Sequence, residues 1–245
     1  MDKRYLEKNL LVVEDPKSIT AEAFRMLRTN LQFMGVDKPL KVIAVCSSNP
    51  SEGKSTVITN LASSFAIAGS KVLLIDADLR RPQVNKIFYL ENHVGLSNLL
   101  AGGLDLDSVI NKTAIENLDI ITSGPLPPNP AEILGSAKME EFLNGIRPAY
   151  DMLLVDSPPV NTVADASILA TKVDGMVFVI EAGKTTREAV MLAKQQLGKV
   201  NARILGVVLN KVKQVGGGYY YYYYYYNDES DAGQNKKGWL HRIFK

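Results

Sequence analysis

The stretch Val42-Ile43-Ala44-Val45-Cys46-Ser47-Ser48-Asn49-Pro50-Ser51-Glu52-Gly53-Lys54-Ser55-Thr56 decides how this chain folds. Its opening, Val42–Cys46, is apolar without polar alternation, which predicts a strand buried on both faces. Its close, Gly-Lys-Ser-Thr, opens a helical pattern over Ser55–Ala68. The turn between them has the form of a phosphate-binding loop, in which backbone N–H groups wrap phosphates, Lys54 reaches the outer ones and the Ser55 hydroxyl takes a Mg²⁺ position. Ser48 replaces the first glycine of that pattern. Pro50, Ser51, Glu52, Gly53, Lys54, Ser55 and Thr56 are therefore the candidate nucleotide-binding residues.

Working outward, the strand–helix alternation continues. Val72–Ile75, Leu118–Ile121, Met152–Val155, Met176–Ile180 and Ile204–Leu209 are further apolar runs of strand length, all expected to be buried on both faces. Ala131–Leu143, Ala164–Thr171 and Thr185–Leu197 read as helices between them. The expected fold is α/β, a doubly wound and mostly parallel sheet. Upstream, Ser18–Phe33 is helical in pattern, with Ser18 as N-cap and Phe24, Leu27, Leu31 and Met34 on an apolar stripe. The expected organisation is an N-terminal segment over 1–40, a core domain over 41–213 and a flexible tail over 214–245.

Composition narrows the classes. With 245 residues, 46% of them hydrophobic, the chain can bury a substantial core. A formal net charge of +2 leaves no footprint for a nucleic-acid partner. The single cysteine, Cys46, can form neither an intramolecular disulfide nor a cysteine-based metal cluster. No apolar run is long enough to span a bilayer, and Met1–Leu10 has no signal-peptide pattern, so a cytoplasmic location is expected.

Two acidic motifs end predicted strands. Leu73-Leu74-Ile75-Asp76-Ala77-Asp78-Leu79-Arg80 carries two carboxylates and a base; Leu153-Leu154-Val155-Asp156 carries one, followed by Ser157-Pro158-Pro159. Ligands of open α/β sheets sit at the carboxyl ends of the strands. An aspartate there can hold Mg²⁺ or orient an attacking hydroxyl, and each alone could equally cap a helix. With the phosphate loop they make three sets at strand ends in one chain, which point to an NTPase or a kinase.

With these pieces together, the chain resembles the bacterial tyrosine kinases of capsule and exopolysaccharide operons, P-loop proteins related to the MinD/ParA ATPases. The Pro50-containing loop, Asp76-x-Asp78-x-Arg80 and Asp156-Ser-Pro-Pro carry the resemblance. Glu22-x-x-Arg25-x-x-Arg28 looks like the family's oligomerisation helix, and Gly124-Pro-Leu-Pro-Pro-Asn-Pro130 looks like its characteristic loop. The resemblance implies a P-loop NTPase fold with ATP as substrate and Mg²⁺ as cofactor. Catalysis would fall to Lys54, Asp76 as base, Asp78 and Asp156, with Ser55, Asp76, Asp78 and Asp156 at the metal. Arg80 would stabilise phosphate charge or respond to an activator, and Asn210-Lys211 would sit where relatives read the base, a polar strand end being the equal alternative. It further implies a membrane adaptor that recruits the protein to the inner face of the membrane, a homo-oligomeric ring of eight and a cognate phosphotyrosine phosphatase. Residues at three-residue spacing would place Glu22, Arg25 and Arg28 on one charged ridge; a solvated face with a local ion pair reads the same pattern.

Eight of the 11 tyrosines are consecutive: Tyr219, Tyr220, Tyr221, Tyr222, Tyr223, Tyr224, Tyr225 and Tyr226. Flanked by Gly216–Gly218 and Asn227–Ser230, the run is no core segment. An aggregating strand is conceivable, but a cluster of phosphoacceptors accounts for its place beyond the folded part. From Lys213 the extended chain reaches at most ~30 Å to Tyr222, far enough to approach a neighbouring subunit. The terminal Trp239, Leu240, Ile243 and Phe244 could touch lipid or adaptor, although so short a helix frays. The competing class is a MinD/ParA-type ATPase switch, against which stand the tyrosine run and Asn49, where such switches usually carry a signature lysine. An iron–sulfur or metal-insertion ATPase lacks its cysteines, and a nonenzymatic scaffold would leave three motifs unused.

Overall fold

The computed structural model describes residues 10–36 and 39–212. The predicted tail, 214–245, with its tyrosine run, lies outside the described residues. All six strands anticipated from apolar runs are present: β1 (Val42–Ser47), β2 (Val72–Asp76), β4 (Leu118–Ile121), β5 (Met152–Asp156), β6 (Gly175–Glu181) and β7 (Ile204–Asn210). A short β3 (Ile110–Lys112) joins them at one edge. The sheet order is β3-β4-β2-β5-β1-β6-β7, parallel throughout except where β3 runs antiparallel to β4.

Both faces of this sheet are covered, which is why its strands do not alternate. Along β1, Val42, Ala44 and Cys46 enter one core, and Ile43 and Val45 enter the other. The first core is covered by α5 (Leu96–Ala101), α6 (Pro130–Gly135), α7 (Ala137–Ile146), α8 (Asp165–Ala170) and α9 (Arg187–Lys199). The second is covered by α3 (Lys54–Ile67), on which α1 (Leu11–Glu14) and α2 (Ile19–Met34) pack in turn. Lying between sheet and helices, α3 is buried nearly all round. Its polar residues are satisfied locally: Thr59 donates to the Ser55 carbonyl, Ser63 to the Thr59 carbonyl, and Asn60 accepts from Val12 N–H.

Four expectations are corrected. The helix foreseen over Ala131–Leu143 is two, broken at Ser136, whose hydroxyl caps α7 by accepting from Met139 N–H at 3.3 Å. β7 is not buried on both faces, because it is the edge strand; Val207 and Leu209 are each more than half exposed. On α2, Ser18 caps as foreseen, but the buried line runs through Ala21, Phe24 and Leu31 and leaves Met34 exposed at the last helical position. Nor do Glu22, Arg25 and Arg28 share one ridge. Three-residue steps fall short of a full turn, so Arg28 is rotated roughly 120° from Glu22. Arg25 pairs with Glu22 at 2.6 Å, the local ion pair, whereas Arg28 turns inward and donates to the Ser64 carbonyl of α3 at 2.7 Å.

The start of β1 is pinned by Asp174, in the turn before β6. Its Oδ2 accepts from the amides of Lys41 and Val42, both at 2.8 Å, and Arg147 pairs with it at 3.0 Å. Burial pushes this carboxyl up, but the two amides and the guanidinium outweigh burial and hold it below its usual range. Its contribution is therefore present at neutral pH and fades as pH falls through and below about 4. Asp174→Asn should cost roughly 2 kcal/mol at pH 7 in urea unfolding, with the gap from wild type narrowing at pH 3. An undiminished gap at pH 3 would mean that the charge is not what holds the strand.

Candidate active site

The parallel register brings the acids together. Asp76 of β2 lies opposite Asp156 of β5, and Asp156 lies opposite Val45 of β1, so the carboxyl ends of three adjacent strands are level. β1 then leads into the phosphate loop. Ser51 (φ 67°) and Gly53 (φ 93°) take left-handed conformations there, folding the chain tightly before α3 begins at Lys54. A Cβ on Gly53 would lie 2.1 Å from Asn210 Nδ2, so glycine is required on two counts. The first helical ladder bond runs from Val57 N–H to the Gly53 carbonyl. The amides of Lys54, Ser55 and Thr56 precede it and remain as donors at a positive helix end.

Lys54 is the centre of this site. Its Nζ is 2.9 Å from Asp78 Oδ2, 3.7 Å from Asp156 Oδ1 and 3.3 Å from Ser55 Oγ. Burial would depress the ammonium, but Asp156 and Asp78 outweigh it and raise its titration above the ordinary value. Asp76 is fully buried. Its Oδ1 accepts from Asp78 N–H and its Oδ2 from the amides of Gln83 and Val84, at the start of α4 (Val84–Ile87). Burial, then the neighbouring Asp156, push Asp76 well up against the lowering pull of the Val84 amide. Asp78 Oδ1 accepts from Arg81 N–H at 3.0 Å. Asp156 is raised by burial against the pull of Lys54, and neither of its buried carboxylate oxygens accepts a hydrogen bond.

Three carboxylates thus face one ammonium. The excess of negative charge and the two orphaned oxygens of Asp156 suit a hard divalent cation such as Mg²⁺, which prefers oxygen donors. Among the described residues no three acidic, histidine or cysteine side chains form a ready-made metal cage. That agrees with an ion held by one or two carboxylates and substrate phosphates. Asp156 has the open oxygens; Ser55 Oγ accepts from Lys54, the Asp78 oxygens from Lys54 and Arg81 N–H, and those of Asp76, expected as a ligand, from backbone amides.

The remaining expected residues are distributed around this centre. Pro50 and Ser51 are exposed on the loop, while the Glu52 side chain is buried in contact with Asn49 and Thr185. Asn210 Nδ2 donates to the Glu52 carbonyl and Lys211 Nζ to the Ser51 carbonyl, so both brace the loop. The Arg80 guanidinium grips buried Asp165 through two bonds, of 2.9 and 3.1 Å, and feels the charge of Asp78 as well. Asp165, Thr185 and Asn161 were missed by sequence reasoning. Only Asn161 had a local signal, its place just after Asp156-Ser-Pro-Pro; its amide N–H donates to the Ser48 carbonyl and straps that motif to the loop.

The family described as "AAA domain" matches residues 40–204. The tyrosine-protein kinase YwqD of Bacillus subtilis is 44% identical over 208 residues, covering 85% of this chain and 88% of that protein. The chain belongs to the bacterial tyrosine kinases of capsule and exopolysaccharide operons. Among solved structures, the chimerical protein CapA2B2 superposes with TM-score 0.82 at 38% identity, covering 85% of this chain and 92% of that one. The kinase domain of Escherichia coli tyrosine kinase ETK gives 0.81 at 33%, covering 94% and 85%. Likeness to the septum site-determining protein MinD of Pyrococcus horikoshii, at 24% identity and TM-score 0.61, shows the shared fold alone. The kinase is thus a P-loop nucleotide-binding protein.

Because Asp76 and Asp156 hold protons more tightly folded than unfolded, the unliganded kinase should lose stability as pH rises from about 4 through their raised values. Asp156→Asn should flatten that decline and raise the melting temperature at pH 7 by a few degrees, since Lys54 keeps Asp78 as partner. The same variant should lose phosphoryl transfer. A lower melting temperature, measured calorimetrically without nucleotide, would mean that Asp156 stabilises the fold.

Proposed function

We propose that this kinase transfers the γ-phosphoryl group of ATP to the tyrosines of its own C-terminal run, Tyr219–Tyr226, and in doing so regulates polysaccharide polymerisation and export. The observation that supports the reading most directly is Lys54 Nζ held within 2.9 Å of Asp78 and 3.7 Å of Asp156 at the mouth of the phosphate loop. A tyrosine oxygen attacks the γ-phosphorus in line, the bond from that phosphorus to the β–γ bridging oxygen breaks, and ADP leaves. Asp76 accepts the hydroxyl proton; a carboxylate with a raised pKa is the stronger base. The loop amides and Lys54 hold the phosphates and neutralise charge as it develops. Asp156, Ser55 and Asp78 would hold Mg²⁺, which when bound offsets the charge of the phosphate oxygens.

The Lys54 side chain is nine-tenths buried and pairs with Asp78 and Asp156, so nucleotide phosphates would compete with carboxylates for it. That competition suits a kinase that needs a second component to assemble fully. Among the described residues no helix is long and apolar enough to cross a membrane. We assign recruitment to the inner membrane face to an adaptor of the same polysaccharide system, and mutual phosphorylation to a ring of eight subunits in which the charged residues of α2 take part. Each phosphotyrosine adds about −1.5 to −2 charges, so a few of them outweigh the chain's net +2 and should loosen the ring. A cognate phosphatase would then reset it.

Phosphopeptide mass spectrometry of residues 214–245, after incubation with ATP and Mg²⁺ with and without the adaptor's cytoplasmic tail, tests the assignment. Phosphate should appear on Tyr219–Tyr226 in the wild type and fall at least ~100-fold in Lys54→Met, a loss of the size seen when a transition-state donor is removed. ADP formation with an unmodified tail would instead identify an ATPase switch. Oligomer size by light scattering should fall after phosphorylation; no change would remove the release step.

A further inference from the structure

An acidic residue inside a phosphate loop is a liability, because its charge repels the ligand the loop exists to hold. Glu52 is such a residue, buried to within 4% of full enclosure, and no lysine or arginine pairs with it among the described ion pairs. Its carboxylate is turned aside by two groups. Oε2 accepts from the amide of Asn49, within the loop, at 3.0 Å; Oε1 accepts from the hydroxyl of Thr185 at 2.7 Å, with the Asn49 side chain more distant at 3.5 Å.

Thr185 is fixed before it meets Glu52. Its hydroxyl oxygen accepts from Glu181 N–H at 2.8 Å, and its own N–H donates to the Glu181 carbonyl at 3.0 Å, closing a tight turn at the end of β6. With the oxygen so engaged, the hydroxyl proton points to Glu52. Thr186, next along, caps α9 by accepting from Ala189 N–H. The turn is therefore rigid on both sides, and it presents one donor to the one charged group the loop must keep off its phosphate-facing side.

We propose that Thr185 is a positioning residue for nucleotide binding: it holds the Glu52 carboxylate away from the phosphates and so fixes the loop between left-handed Ser51 and Gly53. The inference rests on the reading that this loop holds ATP. Without the hydroxyl, Glu52 keeps only Asn49 and is free to swing toward the bound phosphates or solvent. The effect falls on ATP affinity, because Thr185 acts through Glu52 and the reacting atoms stay with Lys54 and the aspartates.

Binding of ATP with Mg²⁺ by calorimetry, together with steady-state tyrosine phosphorylation, tests this on the full chain. Thr185→Val should weaken Kd and raise KM for ATP roughly tenfold while kcat changes by less than about twofold. Thr185→Ser, which retains the hydroxyl, should restore wild-type values. In a Glu52→Gln background, where no charge needs restraining, Thr185→Val should change Kd by less than about twofold. Thr185→Ala carries the same expectations should the valine variant not fold. Wild-type affinity in Thr185→Val, failure of serine to restore, or an equal loss in the Glu52→Gln background would each overturn the proposal. If wild-type binding proves insensitive to Lys54→Met, the nucleotide site itself fails, a result distinguishable from any of these.

Discussion

Lys54 is a single ammonium placed among three buried carboxylates, and the geometry of the strand ends follows from keeping that group together. The parallel register of β2, β5 and β1 brings Asp76 and Asp156 level, which would be repulsive in any site without a cation. Lys54 supplies one positive charge from the start of α3, and amides at Asp78, Gln83 and Val84 supply partial positive charge to Asp76. What is left uncompensated is concentrated on Asp156. A fold selected for stability alone would not leave two buried oxygens without hydrogen bonds, since each costs free energy. Asp156 is therefore the point of the site where added positive charge would be accommodated best.

This constraint explains why the loops differ in character around the sheet. The segment after β2 folds back so that its amides cap Asp76, and the buried Asp165 of α8 holds Arg80 at the far side of that segment through a two-bond ion pair. The segment after β5 is strapped to the loop by Val160 and Asn161 amides donating to the carbonyls of Ser47 and Ser48. On the other flank, the ends of β6 and β7 reach the loop through Thr185, Asn210 and Lys211. The phosphate loop is thus held from both sides by neighbours in the sheet order.

Much of this was legible in the sequence because parallel strands buried on both faces write themselves as apolar runs, and because a phosphate loop needs Gly53, Lys54 and Ser55 in contiguous order. The corrections come from where physics is less local. β7 has the composition of a central strand, and only the sheet order reveals it as an edge. Three-residue spacing suggested one ridge on α2, but the 3.6-residue turn sends Arg28 inward to α3. The break at Ser136 was visible as a serine after glycine, yet the periodicity on either side concealed it. Asp165 and Thr185 could not be found by motif at all. Each meets its partner from 85 and 133 residues away in sequence, and nothing in their own neighbourhoods records that meeting.

The same comparison shows how the two kinds of residue divide the work. The contiguous residues Gly53, Lys54 and Ser55 open α3 and gather its first free amides at one point. Distant residues restrain what the motif itself cannot: Asp165 restrains Arg80, and Thr185 restrains Glu52. In both cases a charge introduced by the motif is held from the other half of the chain, by the buried Asp165 at a helix start and by the half-buried Thr185 just after a strand. Within the loop the Asn49 amide reaches Glu52, and the second restraint on that carboxylate comes from Thr185, outside it. An account of this site limited to its motifs would therefore include Lys54 and the aspartates around it and omit Asp165 and Thr185, which hold the charges of Arg80 and Glu52 in place.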